Sequence, residues 1–327
     1  MPFFTRKRLA LSQPSFDVVT TDLLFPEGPI ALPDGDALVV ELHRKTLTRV
    51  GTDGTRTVVA EVGGGPNGAA IGPDGRVYIA NSGGLGRFEV GPYAFAGGTP
   101  DDYVTGSLQA VDLATGAVET IYTECDGSQL RGPNDIVFDA HGGCYITDHG
   151  KSDGVVADRG RIFYCAADGS SITLVASDMN APNGIGLSPD GSRLYVSETY
   201  TARVWWWDVV APGEITGGRT LAGSGDANFL WGSGDFRYLD SLGVEADGNV
   251  CVASLATPGI CVISPDGDLV DFVAIDTDGD PGITNICWGG DDMRTAFVTA
   301  SSTGKLLRFE WPRPGLALNN QSHAAVI

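Results

Sequence analysis

The sequence is poor in the groups that several classes of protein require. Only 21 lysines and arginines stand against 41 acidic residues, giving a formal net charge of −20 that disfavours a nucleic-acid or anionic-membrane partner. No run approaches the roughly 18 apolar residues of a transmembrane helix, and the basic start MPFFTRKRLALSQPSF lacks the apolar segment of a secretion signal. The six cysteines form no C-x-x-C pair. These absences predict a cytoplasmic protein with reduced, buried thiols.

Helical and catalytic signatures are missing as well. Amphipathic segments of helical length do not alternate with the strands, which excludes an α/β fold. The glycines at 63, 65 and 68 match G-x-G-x-x-G, but Pro66 interrupts them and a strand follows where a dinucleotide site needs a helix. The D-x-D-x-D run at 276–280 lacks the glycine and glutamate of an EF-hand loop. The four histidines are not spaced like the ligands of a zinc site, and the sequence has no G-x-S-x-G motif. The common sequence motifs of hydrolases are therefore missing.

A repeated phrase is the main positive signal. It appears as GPNGAAIGPDGRVYIANS, GPNDIVFDAHGGCYITDH and APNGIGLSPDGSRLYVSET, each with a polar residue at the start of an alternating strand, then a turn and a second strand. Six such units, spaced roughly 40 to 65 residues apart, predict an all-β fold: a six-bladed β-propeller with four-stranded antiparallel blades. The sixth unit is one strand short, and SFDVVTTDLL before the first unit is expected to close the ring. We expect an N-terminal extension at 1–14, one propeller domain at 15–312 and a C-terminal tail at 313–327.

Equivalent positions of the six units are expected to converge on the central channel of a propeller. Two carboxylates and several amide oxygens at these positions suit a hard divalent cation, Ca²⁺ in particular. The net negative charge is explained either by solubility or by a field that concentrates such cations. An alternative is that Asn-Gly and Asp-Gly merely serve turns, which stays equally open for Asn67 and Asn285. The ring positions are Glu27, Asn67, Asn134, Asn183, Asp240 and a residue near Thr284 or Asn285.

Five signatures in this order resemble the regucalcin/gluconolactonase (senescence marker protein-like) family of six-bladed lactonases over residues 15–312. They are EGP at 27–29, PND at 133–135, PNG at 182–184, the acid before VEADGNVCVA, and ITNICWGGDDMRTAFVTAS. The resemblance implies that Glu27, Asn183 and Asp240 bind one divalent metal, with Asn134 as a further ligand or substrate contact. Two departures stand out. Serine follows Asp240 where the family commonly has glycine, and Arg131 lies three residues before Asn134 where a substrate-binding arginine often lies two before.

The function expected from this resemblance is metal-assisted opening of a lactone ring. The cation would polarise the carbonyl group and lower the pKa of a bound water, and Asp240 would accept the proton. Glu27 would be a structural ligand that neutralises the dication. Ca²⁺ is the favoured ion, while Zn²⁺, Mn²⁺, Mg²⁺ and Fe²⁺ stay open. The expected substrate contacts are Asn134, Arg131, Asn67, His149 and Tyr200.

Two other functions stay open on the sequence. One is a related phosphotriesterase or arylesterase that uses the same cation and hydrophobic pocket walls, and the other is a non-enzymatic Ca²⁺-binding propeller. Insertions at 85–106 and 223–239 mix glycine with aromatic residues and predict either surface loops or a wall over the pocket. The expected partner is a small-molecule lactone, and the expected state is a monomer or a small homo-oligomer.

Overall fold

The chain forms a closed ring of antiparallel sheets in a computed structural model that describes residues 11–217 and 227–323. Within these ranges six sheets surround a central channel, and each innermost strand contacts the innermost strands of both neighbouring blades. This confirms the predicted six-bladed propeller. The strands are given from the innermost outward. Blade one comprises Pro26–Ala31, Ala37–Glu41, Thr46–Val50 and Arg56–Glu61; blade two comprises Pro66–Ile71, Val77–Asn81, Ser107–Val111 and Val118–Tyr122; blade three comprises Pro133–Phe138, Gly143–Asp148, Gly160–Ala166 and Ile172–Met179. Blade four comprises Pro182–Leu187, Arg193–Glu198, Arg203–Ala211 and Glu214–Thr216; blade five comprises Tyr238–Val244, Val250–Leu255, Gly259–Ile263 and Leu269–Ala274; blade six comprises Ile283–Gly289, Thr295–Ala300, Lys305–Glu310 and Asp17–Thr20.

The remaining elements of the described chain are short. Asn228–Gly232 adds to the third strand of blade four, and Leu11–Ser12, inside the predicted N-terminal extension, pairs in parallel with the outermost strand of blade five. Two hairpins and two 3₁₀ turns lie outside the blades: Arg87–Val90 with Tyr93–Ala96, Glu124–Cys125 with Ser128–Gln129, Ser301–Thr303 and Gln321–His323.

The hydrophobic core is divided among the interfaces between neighbouring blades. In the described part of the chain each of the six interfaces has its own cluster of buried residues. Between blades two and three, for example, the rings of Tyr78 and Phe138 meet edge to face with their centroids 5.1 Å apart. Because the strands alternate and both faces of each sheet are covered, both sets of side chains are apolar, and burial drives neighbouring blades together.

The segment before blade one completes blade six, and the segment after blade six contacts the channel. Asp17–Thr20 pairs antiparallel with Lys305–Glu310, with Asp17 opposite Arg308, which confirms the predicted ring closure by the segment SFDVVTTDLL. The tail after residue 313 crosses the end of the channel where the innermost strands finish. There Leu316 N–H donates to Val244 O at 2.9 Å and Gln321 Nε2 donates to Trp288 O at 2.8 Å.

The sequence predicted reduced, buried cysteines and no membrane-spanning helix. All six cysteines are free thiols, and five of them are buried. No helix in the part of the chain that the structure describes has the length and apolar character needed to cross a bilayer.

Candidate metal and substrate site

The innermost strand of each described blade is irregular where it begins. Its pairing with the second strand shifts register between Glu27 and Ile30 in blade one and between Leu239 and Leu242 in blade five, and the other four blades show the same shift. A β-bulge adds a residue to one strand and re-aims the side chain there. This irregularity explains how the polar residue of an otherwise apolar strand comes to face the channel.

The glycines that follow Asn67 in blade two and Asn183 in blade four are required for close packing between strands and do not form turns. A Cβ on Gly184 would lie 2.4 Å from Leu242 N, and one on Gly68 would lie 2.6 Å from Asp135 Cα. Glycine therefore lets neighbouring innermost strands approach closely around a narrow channel. Gly191, in the Pro-Asp-Gly sequence of blade four, has a φ of 71° and closes an ordinary hairpin turn.

A cavity of about 370 Å³ lies at the end of the channel where the innermost strands begin. The structure brings the predicted ring together here, together with two of the predicted substrate contacts. Thr284, rather than Asn285, lines the cavity in blade six. The predicted residues that line the cavity are Glu27, Asn67, Asn134, Asn183, Asp240, His149 and Tyr200.

Two carboxylates of this ring are buried close to one another. Burial raises the pKa of Glu27 well above its usual range, and the charge of Asp240 raises it further. Burial also raises the pKa of Asp240 to about 7, although a hydrogen bond from Asn183 acts in the opposite direction. Desolvation and like charge both oppose ionisation, so a cation between them would favour the charged forms.

Three carboxamide oxygens of the ring lack hydrogen-bond donors. Oδ1 of Asn67, Asn134 and Asn183 is buried, with no partner among the described residues. Asn183 Nδ2 donates to Thr199 Oγ1 at 3.0 Å, which fixes the amide and leaves its oxygen as a free acceptor. Buried acceptors are almost always satisfied in folded proteins, so three in one cavity require an explanation.

These oxygens fit a hard divalent cation. Carboxylate and amide oxygens are the ligands that Ca²⁺ takes in proteins. Within residues 11–217 and 227–323 no group of three or more His, Cys, Asp or Glu side chains could hold a metal. A metal in this cavity would therefore use the amides as well as Glu27 and Asp240.

Hydroxyl groups from the second strands fix the ring to the neighbouring blades. Thr147 Oγ1 accepts from Asp135 N–H at 3.1 Å and donates to Asn183 O at 2.6 Å, joining blades three and four. Ser197 Oγ accepts from Gly184 N–H at 2.9 Å and donates to Asp240 O at 2.7 Å, joining blades four and five. The backbone carbonyl groups of Asn183 and Asp240 are thus each held by a hydroxyl group of the preceding blade.

Asp135 is a buried acid that the sequence interpretation missed. It follows Asn134, and burial raises its pKa to about 7 although the N–H groups of Ile136 and Ile185 donate to its oxygens. Its charge is also one cause of the raised pKa of Glu27. The available signal was Pro-Asn-Asp in blade three, where blades two and four have Pro-Asn-Gly.

Aromatic side chains form one wall of the cavity. The ring of Tyr200 meets those of His149 and Tyr238 edge to face, with centroids 5.7 and 6.1 Å away. Burial lowers the pKa of His149 to about 4, and the charge of Lys151 lowers it further, so the imidazole is neutral at pH 7. Phe25 and Phe95 also line the cavity and add to its hydrophobic surface.

Arg131 is the predicted substrate contact that the structure does not place in this lining. Its Nε donates to Asp158 Oδ2 at 2.9 Å, and its guanidinium group lies over the Tyr103 ring, 5.5 Å from the centroid. Asp158 itself lines the cavity, so Arg131 contacts a residue of the cavity wall without lining the cavity itself. Its proposed contact with substrate stays a prediction.

The insertion at 85–106 supplies part of the wall. Leu85 and Phe95 line the cavity, and Tyr93 Oη donates to Asp278 O at 3.0 Å, which ties the hairpin to the segment before blade six. Of the insertion at 223–239, residues 223–226 lie outside the described residues. Tyr238, at its far end, lines the cavity and packs against the exposed Phe236 at 5.3 Å between ring centroids.

These features define a class of protein: a six-bladed β-propeller with a ring of oxygen donors at one end of its channel. The chain matches the sequence model of the SMP-30/Gluconolactonase/LRE-like region over residues 25–302 and belongs to that family. This confirms the resemblance drawn from the five signatures.

Two similar proteins carry names that denote different hydrolytic activities. The chain is 26% identical over 310 residues to a gluconolactonase of Zymomonas mobilis, covering 87% of this chain and 78% of that protein. It is 24% identical over 340 residues to the diisopropyl-fluorophosphatase of Loligo vulgaris, covering 93% and 94%. The gluconolactonase match supports the prediction of a lactonase-type hydrolase.

Solved structures of similar proteins show the same fold. A gluconolactonase from Xanthomonas campestris superposes with a TM-score of 0.70 at 18% identity, covering 94% of this chain and 99% of that chain. A calcium-binding regucalcin from Agrobacterium tumefaciens gives a TM-score of 0.68 at 20% identity, covering 95% and 100%.

Proposed function

We propose that this protein is a metal-dependent lactonase whose cation is held by Glu27, Asn134, Asn183 and Asp240. The observation that carries the proposal is the group of unsatisfied amide oxygens beside two buried carboxylates in one cavity. Ca²⁺ is the ion that this donor set favours, because it takes neutral oxygens together with carboxylates. The proposed substrate is a small lactone, which agrees with the gluconolactonase relative.

A bound divalent cation would supply Lewis acidity, polarising a carbonyl oxygen and lowering the pKa of water. Asp240 is the residue proposed to accept the proton, since it is a buried carboxylate that lines the cavity beside the amides proposed to hold the cation. Glu27 would balance charge, and the amides would position the ion without adding charge. In the reaction the oxygen of water bonds to the carbonyl carbon, the ring C–O bond breaks, and the hydroxy acid releases one proton at neutral pH.

Asp240→Asn tests the proposed base. The amide retains an oxygen that can accept from Ser241 N–H, as Asp240 Oδ1 does at 3.1 Å, so we expect the fold to persist. We expect kcat for a sugar lactone to fall by about 10²–10⁴-fold, the usual contribution of a general base. Proton release followed with a pH indicator, in the presence of saturating Ca²⁺, measures the effect.

A matched control is Asp266→Asn, which makes the same change at an exposed turn of the same blade. We expect that variant to keep wild-type turnover. Near-wild-type turnover in Asp240→Asn would eliminate its role as base. Full activity of the wild-type protein after chelation would contradict metal dependence itself.

A second candidate is hydrolysis of phosphotriesters or aryl esters at the same site. The aromatic wall around Tyr200 and Tyr238 favours it, as does the similarity to diisopropyl-fluorophosphatase. Comparing kcat/KM for a lactone, an aryl acetate and a dialkyl fluorophosphate decides between the two, because the preferred class gives the largest value. The cytoplasmic location and the monomeric or small oligomeric state stay predictions from the sequence.

A further inference from the structure

Lys151 is a buried cation in the cavity wall that the proposed reaction does not use. It follows the second strand of blade three and is only 7% exposed. Its Nζ donates to Gly84 O at 2.5 Å and lies 4.9 Å from the centroid of the Tyr103 ring. Among the described residues no carboxylate lies within 4 Å of this ammonium group, and two of its three hydrogens have no acceptor.

The other charges around Lys151 are already balanced. Asp148 pairs with Arg161 at 3.0 Å, and Asp158 pairs with Arg131 at 2.9 Å. Burial lowers the pKa of Lys151 to about 8, an effect that Asp148 opposes, so the amine is largely charged at pH 7. These five groups therefore carry one net positive charge next to the cavity.

The ring of oxygen donors in the same cavity carries charge of the opposite sign. Glu27 and Asp240, the two ring carboxylates that line the cavity, carry two negative charges when ionised, and the divalent cation of the proposed function would cancel them. Asp135, the third buried acid, does not line the cavity and accepts from two backbone N–H groups. Lys151 would then be the charge of the cavity wall that has no ion-pair partner. Burying an unpaired charge is costly, and a substrate anion that reaches this ammonium group would offset the cost.

We infer that Lys151 selects lactones that carry a carboxylate group, so that the preferred substrate is an acidic sugar lactone rather than a neutral one. This inference rests on the proposed lactonase function and adds the charge of its substrate. The carboxylate would accept hydrogen bonds from the two free N–H groups of Lys151, while the lactone carbonyl group lies over the ring of oxygen donors.

Two lactones that differ only in this charge provide the test: glucaro-1,4-lactone carries a carboxylate where glucono-1,4-lactone carries a hydroxymethyl group. We expect wild-type kcat/KM to favour the acidic lactone. In Lys151→Met and Lys151→Gln, we expect the acidic-to-neutral ratio of kcat/KM to fall by about 10- to 100-fold, the usual effect of a charge-assisted hydrogen bond. Thermal unfolding of both variants checks that they fold, and Gln retains polarity without charge.

Lys45→Met is the matched control, since Lys45 is half-exposed and makes only a surface ion pair with Asp102 at 3.5 Å. We expect it to leave the ratio unchanged. Equal losses on both lactones in the Lys151 variants, or a wild-type preference for the neutral lactone, would overturn the inference. If the wild type opens neither lactone, the proposed function fails separately. Calorimetric titration with the same two lactones then tests Lys151 alone, and equal affinities would count against it.

Discussion

Thr147 offers the sharpest test of how the ring of oxygen donors is held in place. Its hydroxyl group, which is fully buried, joins Asp135 N–H to Asn183 O across the interface of blades three and four. Thr147→Val keeps the shape of the side chain but leaves a buried donor and a buried acceptor unsatisfied. Each such group costs roughly 1–3 kcal/mol, so we expect the free energy of unfolding to fall by at least about 2 kcal/mol.

The same variant should also weaken the metal site, because Asn183 loses the contact that fixes its backbone. Loss of a group that orients a ligand typically lowers metal affinity by about 10- to 100-fold. Denaturant unfolding and calorimetric Ca²⁺ titration measure the two effects. The control is Thr173→Val, on an exposed position of the outermost strand of the same blade, where we expect a change within about 0.5 kcal/mol.

The two measurements separate the possible errors. Unchanged stability in Thr147→Val would refute the bridging role assigned to its hydroxyl group. Lower stability with unchanged Ca²⁺ affinity would retain the bridge and refute its role in positioning Asn183.

Two further predictions concern the ion and the tail. Ca²⁺ at 100 times its Kd should stabilise the folded protein by about 2.7 kcal/mol in thermal unfolding, the mass-action gain for a ligand that binds only the folded state. Glu27→Gln, measured at the same Ca²⁺ concentration, should reduce this gain because it removes one of the two buried carboxylates. No stabilisation by any divalent cation would contradict the assigned ligands. Truncation after Arg313 removes the backbone hydrogen bond of Leu316 and the side-chain bond of Gln321, and should lower the free energy of unfolding by roughly 1–3 kcal/mol in denaturant unfolding. An unchanged denaturation midpoint would show that the tail does not stabilise the channel.

The sequence predicted the ring well because the fold repeats. Equivalent positions in a propeller meet at the channel whatever their separation in sequence, so Glu27 and Asp240 could be placed together from the repeated phrase alone. The closing strand followed from the same reasoning, since five complete units and one incomplete unit leave a single place for the segment before Phe25.

The remaining features depend on contacts that have no repeat. Lys151 lies after a strand, and its position depends on Gly84 in the preceding blade. Arg131 turns toward Asp158, 27 residues later in a loop, and no local pattern marks that partner. The requirement for glycine at position 184 could not be predicted from the sequence either. Gly184 is needed because the backbone of Leu242 in the next blade lies too close for a side chain, and not because the chain turns there.

Ring closure by the first strand has a consequence for synthesis of the protein. Asp17 and Arg308 are 291 residues apart, so at 5–20 residues per second the ribosome needs about 15–60 s between them. During that interval the edge of the growing propeller is unpaired, and Glu27 lacks Asn285, which lies 258 residues later. We therefore expect the cation site to form only on chains that are nearly complete, which makes metal capture a late step in biogenesis.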